Sequence, residues 1–277
     1  MLFISLFWLN CSEKSEEPTI ITSINPFRQI IEPLVGPIIK VHNLMPPGAS
    51  PHTFRLKPSD MRQVESGSLF FVGAKNLDPW AFELFAPNMV GLECLISARD
   101  VLFIDPDSQI IDPHFWTDPL IVKTMVPTIG QQISIFFPEY AGQILSNQNH
   151  FIARLDSLHQ AIALTLQPFK GTNVILSHPF FQYYLHRYEF GIITIIEPYH
   201  GNLGTIKSLQ AKIDLVPQEH VKLILAHRDH SSRQAKLIAE STQIPLVIID
   251  PLGSERGNTT YDKMLWSNTL RIAEALK

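Results

Sequence analysis

Cysteine is nearly missing from this 277-residue chain, which has only Cys11 and Cys94. Two thiols cannot build the bridged framework of a small secreted scaffold, and Cys94 is expected in the core. Basic charge is also short. With 22 Lys and Arg against 26 Asp and Glu, the net charge is -4, which lacks the basic footprint of a nucleic-acid binder. Apolar residues make up 45% of the chain and mean hydropathy is +0.08, a globular balance and too low for a multi-span membrane protein. There is no repeat at solenoid or propeller periods. There is also no H-E-x-x-H stretch, no G-x-S-x-G elbow and no glycine-rich phosphate loop.

What is present begins with "MLFISLFWLNCSEKSEEP". Its apolar run is too short to span a bilayer but fits the core of an export signal. Cys11 follows at once, in the place of a lipoprotein acceptor, and "SEKSEEP" reads as a polar tether. Residues 1–18 are therefore expected to be leader and tether, with lipidation on Cys11 after cleavage.

From Thr19 onward, short apolar runs alternate with helical patterns: "TIITSI", "PIIKVHNLM", "SLFFVG" and "VLFI", then "NVILS", "GIITII", "VKLILA" and "PLVIID". This is the rhythm of α/β architecture with parallel sheets. After the first run, Asn25 can cap a helix whose first position suits Pro26. Between the two groups of strands, Ile144, Phe151, Leu155, Leu158, Ile162 and Leu166 recur at helical spacing. A helix over 138–166 would be roughly 43 Å long at 1.5 Å per residue, a rigid strut. The expected layout is an N-terminal α/β lobe at 19–137, a linking helix at 138–167 and a C-terminal α/β lobe at 168–277.

Ligands of open parallel sheets bind beyond the carboxyl ends of the strands. His178 follows "NVILS", His227 ends "VKLILA" and Asp250 ends "PLVIID". His52 lies in the loop after "PIIKVHNLM", held among Pro46, Pro47 and Pro51, and His114 lies in "DPHFWTDP" after "VLFI". Neutral imidazoles with a carboxylate make a competent set for a borderline divalent ion such as zinc. A ligand histidine also needs a partner for its other ring nitrogen; for His114 the neighbours Asp112 and Asp118 are candidates. His42, His150, His159, His186, His200 and His220 fall within strands, helices or solvated loops, and the "HRDH" stretch at 227–230 reads as an accessory ligand pair or a solvated surface turn.

The residues around these positions carry more. "PPGASPHTFRLKPSD", "DPHFWTDP", "LSHPFFQYYLHRY" and "IIDPLG" resemble, in order, the four ligand segments of the metal-binding subunits of bacterial zinc and manganese ABC importers. "EPYHGNLGTIKSL" and the closing "YDKMLWSNTLRIAEAL" are similar to further segments of that family, so the resemblance covers residues 19–277. It implies two lobes joined by a rigid helix with one metal in the cleft between them, bound by His52, His114, His178 and Asp250. Zinc members tend to have histidine at the third position, where many manganese members have glutamate, so His178 implies Zn(II), with Mn(II) or Fe(II) as alternatives. The resemblance further implies a monomer outside the cytoplasmic membrane that serves a membrane permease. Three features depart from the family. The stretch 53–113 contains no histidine, Thr117 replaces a usual leucine, and His227 stands where an acidic residue is usual, a possible accessory donor.

An enzyme is the competing class. A catalytic zinc keeps an open position and a nearby base, whereas four protein ligands would close a tetrahedral site, so no enzyme is expected. A surface adhesin with a structural metal would have the same sequence features.

Overall fold

The computed structural model describes residues 18–84, 88–104, 109–198, 205–228 and 233–277. The expected leader with Cys11, and with it His200 and His230, lies outside the described residues.

Two four-stranded sheets, both parallel, share one strand order. The first contains β1 (Thr19–Thr22), β2 (Lys40–Asn43), β3 (Leu69–Val72) and β4 (Met89–Gly91), in the spatial order β2-β1-β3-β4. The second contains β5 (Asn173–Leu176), β6 (Gly191–Ile195), β7 (Leu223–His227) and β8 (Leu246–Ile249), in the order β6-β5-β7-β8. In both, the chain starts at an inner strand, visits one edge, and crosses back to finish at the other. Register is fixed by pairs such as Ile20↔Val41 and Ile20↔Leu69 in the first sheet, and Leu176↔Leu225 in the second. The central strands β3 and β7 are buried along their whole length, as expected for strands covered on both faces.

The first group of helices is α1 (Asn25–Val35), α2 (Pro58–Ser66), α3 (Pro79–Phe82), α4 (Pro119–Phe136) and α5 (Ala141–Leu166); the second is α6 (Gln182–Arg187), α7 (Ile206–Gln218), α8 (Arg233–Thr242) and α9 (Tyr261–Ala275). Pro138 heads a short 3-10 turn that leads into α5. The residues that predicted the strut are the ones α5 buries: Ile144, Phe151, Leu155, Leu158, Ile162 and Leu166. Burying each such side chain stabilises the fold by roughly 1.5–3 kcal/mol. The helix lies against α1, α4 and α9, and one apolar core runs from Ile20 and Phe71, past Phe151 and Leu155, to Leu176 and Met264. A second, smaller core lines the opposite face of the later sheet, with Ile175, Ile224, Ala226 and Ile238. Among the described residues no helix is long and apolar enough to cross a membrane.

Several expectations fail, each for a local reason. "VLFI" is not a strand. Phe103 makes a single antiparallel bridge with Ile111, just ahead of His114, and the edge of the first sheet is Met89–Gly91 instead. An edge strand of three residues needs only a backbone ladder, so its composition does not announce it. Cys94 is exposed, because the 3-10 turn Leu92–Leu95 buries Leu92 and turns the next residues outward. Asn25 does not cap α1. Its amide reaches instead to the carbonyls of Leu252 and Gly253, at 2.9 and 3.0 Å.

Candidate metal centre

His52 sits in the loop between β2 and α2. Trp80 of α3 holds that loop from below: its indole N–H donates to Pro51 O at 2.9 Å, and its ring stands edge-on to Phe54 at 4.8 Å. The His52 Nδ1 lies 3.1 Å from Asn76 O. A carbonyl can only accept, so Nδ1 carries the proton and Nε2 keeps its lone pair. The Asn76 side-chain amide in turn donates to Ile111 O at 2.7 Å, tying this loop to the segment that carries His114.

His114 is buried, and Asp112 Oδ1 accepts from both its backbone N–H, at 3.0 Å, and its Nδ1, at 2.7 Å. Asp112 is thus the orienting partner. Asp118 is not: it accepts from Leu120 N at the start of α4 and pairs with Arg187 at 2.7 Å. His178 follows β5, and its Nδ1 lies 2.9 Å from Glu197 O. Each of the three rings therefore has Nδ1 engaged by an acceptor, which leaves Nε2 as the available donor.

These three donors converge. Their ligand atoms all lie within 4.8 Å of one another, and the group formed by His52, His114 and His178 is the one among the described residues that could hold a metal ion. The Nε2 atoms of His52 and His178 are 3.4 Å apart. Zinc–nitrogen bonds of 2.0–2.1 Å at a tetrahedral angle need an edge of about 3.3–3.4 Å, so this pair already has ligand spacing. The three ring centroids are 5.3–5.8 Å apart. The rings line a cavity of about 10 Å³ together with Ser50, Pro51, Trp116, His227 and Leu252, room for about one water-sized sphere.

The model of the ZnuA family, described as the periplasmic zinc-uptake complex component A, matches residues 20–275. The chain belongs to this family. A Thermotoga maritima protein named as a candidate metal-binding protein is 29% identical, over 94% of this chain and 93% of its own. The manganese-binding lipoprotein MntA of Halalkalibacterium halodurans is 23% identical, over 93% of this chain and 88% of its own. Among solved structures, a mutant of the laminin-binding adhesin Lmb of Streptococcus agalactiae superposes with a TM-score of 0.83 at 21% identity, covering 93% of this chain and 99% of that one. The ZnuA family comprises metal-binding, substrate-binding components of ABC importers, not enzymes.

In this ZnuA-family chain, Asp250 is not brought into the histidine group. Its Oδ1 accepts from Ser254 N and Ser254 Oγ, both at 3.0 Å. Its Oδ2 accepts from Glu255 N at 2.9 Å and from the Asn258 amide at 3.0 Å. Burial pushes the carboxyl pKa up, but the hydrogen bonds from Glu255, Ser254 and Asn258 outweigh it and hold the group below its ordinary value. Glu255 forms ion pairs with Arg228 and Arg271, which occupies the carboxylate a hydrolase would need as a base. The Asp250 loop is gripped from the first half of the chain. Besides Asn25, Gln29 donates to Asn258 O at 2.6 Å and the Trp116 indole to Pro251 O at 2.9 Å. Gly253 has φ 63°, in the left-handed region that favours glycine, and a Cβ there would also meet Gln29 Nε2 at 2.7 Å.

Sequence reasoning pointed to the three histidines, and to Asp112 and Asp118 as alternative partners of His114, but not to Asn76 or Glu197. Both hold a ligand ring through a backbone carbonyl, which every residue possesses, so no side-chain signal could mark them. Behind the site, Asp78 accepts from Gly73 N and Ala74 N at 2.9 and 3.0 Å. Burial pushes its pKa up despite those bonds. Glu93 is also pushed up, first by burial and then by the charges of Asp78 and Asp112.

Proposed function

We propose that this protein captures Zn(II) outside the cytoplasmic membrane and passes it to the permease of an ABC importer, with His52, His114 and His178 as metal ligands. The observation that carries this reading is the convergence of three Nε2 atoms, each on a ring whose Nδ1 is held by an acceptor. Ring orientation is set before the ion arrives, so binding does not have to order the ligands. An imidazole-rich donor set favours zinc over manganese, which prefers oxygen; Mn(II) and Fe(II) are the alternative cargoes.

Capture needs deprotonated imidazoles, so protons compete with the metal at each ring. The test is elemental analysis of the purified protein, followed by competing zinc and manganese titrations at about pH 7.5 and about pH 5. We expect one zinc per chain, poor displacement by manganese and much weaker binding at the lower pH. Equal affinity at both pH values would contradict imidazole ligation, and preferential manganese binding would overturn the cargo.

A further inference from the structure

Three imidazoles leave one place open on a tetrahedral ion. Asp250 has little left to fill it with, because each of its oxygens already accepts two hydrogen bonds from its own loop. His227 also lies outside the group of ligand atoms that meet within 4.8 Å, but unlike Asp250 it lines the cavity that the three rings share. We propose that His227 is the fourth nitrogen ligand, giving a four-imidazole metal centre, and that Asp250 serves as the anchor of the loop beside it. This rests on the metal-capture reading above.

Strand register carries the argument. β5 and β7 are parallel, with Val174 opposite Leu223 and Leu176 opposite Leu225. Two residues further along, His178 falls opposite His227. Ser177 N donates to Leu225 O at 2.8 Å and His227 N to Ser177 Oγ at 3.2 Å, so the strands stay together past the last paired residue. Side chains alternate between sheet faces with a period of two. Val174, Leu176, Leu223 and Leu225 belong to the large core, whereas Ile175, Ile224 and Ala226 belong to the smaller one. His178 and His227 inherit the large-core face, on strands about 4.8 Å apart.

The same alternation separates Asp250 from them. Ile249 lies opposite His227 and joins the large core, so the next residue falls on the other face. His227 is 8% exposed, its ring stands edge-on to Phe180 at 5.2 Å, and it lines the cavity that the other three imidazoles share. A site of four imidazoles and no ligating oxygen would discriminate more strongly against manganese than one completed by a carboxylate.

The measurement is zinc K-edge X-ray absorption on tag-free protein loaded with one equivalent of zinc, comparing wild type, His227→Gln and Asp250→Asn. Multiple scattering from the rings counts the bound imidazoles. We expect four in wild type, three in His227→Gln and four in Asp250→Asn, with zinc-over-manganese preference reduced in His227→Gln alone. Affinity by itself would not decide, since removing a partner of a ligand already costs roughly 10- to 100-fold. A count of three in wild type, or no change in His227→Gln, overturns the assignment. If His227→Gln does not fold, the wild-type count decides, because His227 is the fourth histidine lining the cavity. Wild type that takes up no stoichiometric zinc overturns both this inference and the metal-capture reading; a three-imidazole zinc overturns this inference alone.

Discussion

The two halves of the molecule build sheets of identical strand order and place their candidate ligands by different means. In the first half, His52 and His114 lie on irregular segments well beyond the strands, and hydrogen bonds aim them: Asn76 O for one, the Asp112 carboxylate for the other. In the second half, His178 and His227 stand at or just past the ends of adjacent strands, and the ladder itself sets their position. A loop histidine needs individually placed partners, whereas a strand-end histidine inherits its place from the sheet. The first half should therefore depend more on single side chains.

The largest effect will test whether both halves are needed at all. His114→Ala and His178→Ala should each weaken zinc binding by more than the roughly 10- to 100-fold that an outer partner costs, as measured by competition with a chelator. If either variant keeps near wild-type affinity, the halves do not share one ion.

A smaller effect separates the two modes of delivery. Asp112→Asn leaves His114 without its carboxylate partner and should cost roughly 10- to 100-fold in zinc affinity. Asn76→Ala removes the tie to Ile111 but keeps the carbonyl that holds His52, so its cost should be well below that of Asp112→Asn. Equal losses would mean that the first half is aimed by its loop packing and not by the Asp112 contact.

The smallest effect concerns the anchors of the two halves and appears in stability against pH. Asp250 is held below its ordinary pKa. Its contribution to stability is therefore present above the unfolded value, about 3.9, and is lost as pH falls through the lower folded value. Asp78 is pushed above its ordinary pKa, so its contribution is complete below the unfolded value and is lost as pH rises through the folded one. In urea denaturation of metal-free protein between about pH 3 and pH 7, the deficit of Asp250→Asn relative to wild type should widen with rising pH. That of Asp78→Asn should narrow. Slopes of the same sign would remove this contrast between the anchors.

Much of the fold was legible because burial leaves a pattern. The six apolar residues of α5 show the helical period, and seven of the eight strands show as apolar runs bounded by turn residues. β4 escaped because three residues at a sheet edge carry no pattern, and "VLFI" misled because an apolar run can pack in irregular backbone as well as in a strand. At the site, Asp112 was visible two residues from His114, since that contact is local. The grip of Asn25, Gln29 and Trp116 on the Asp250 loop joins residues 135 to 229 apart in the chain, and nothing in the local sequence of either partner marks it.

The α/β alternation, the strut helix and the histidines at the ligand-binding edge can be read along the chain, because each depends on neighbours a few residues away. Folding was needed to set which nitrogen of each ring is held by an acceptor, to bring one ligand atom from each of three histidines within 4.8 Å of the others, and to engage the Asp250 oxygens in their own loop. Those outcomes depend on carbonyls, strand register and loop closure between segments far apart in the chain, and such distances exist only once the chain has folded.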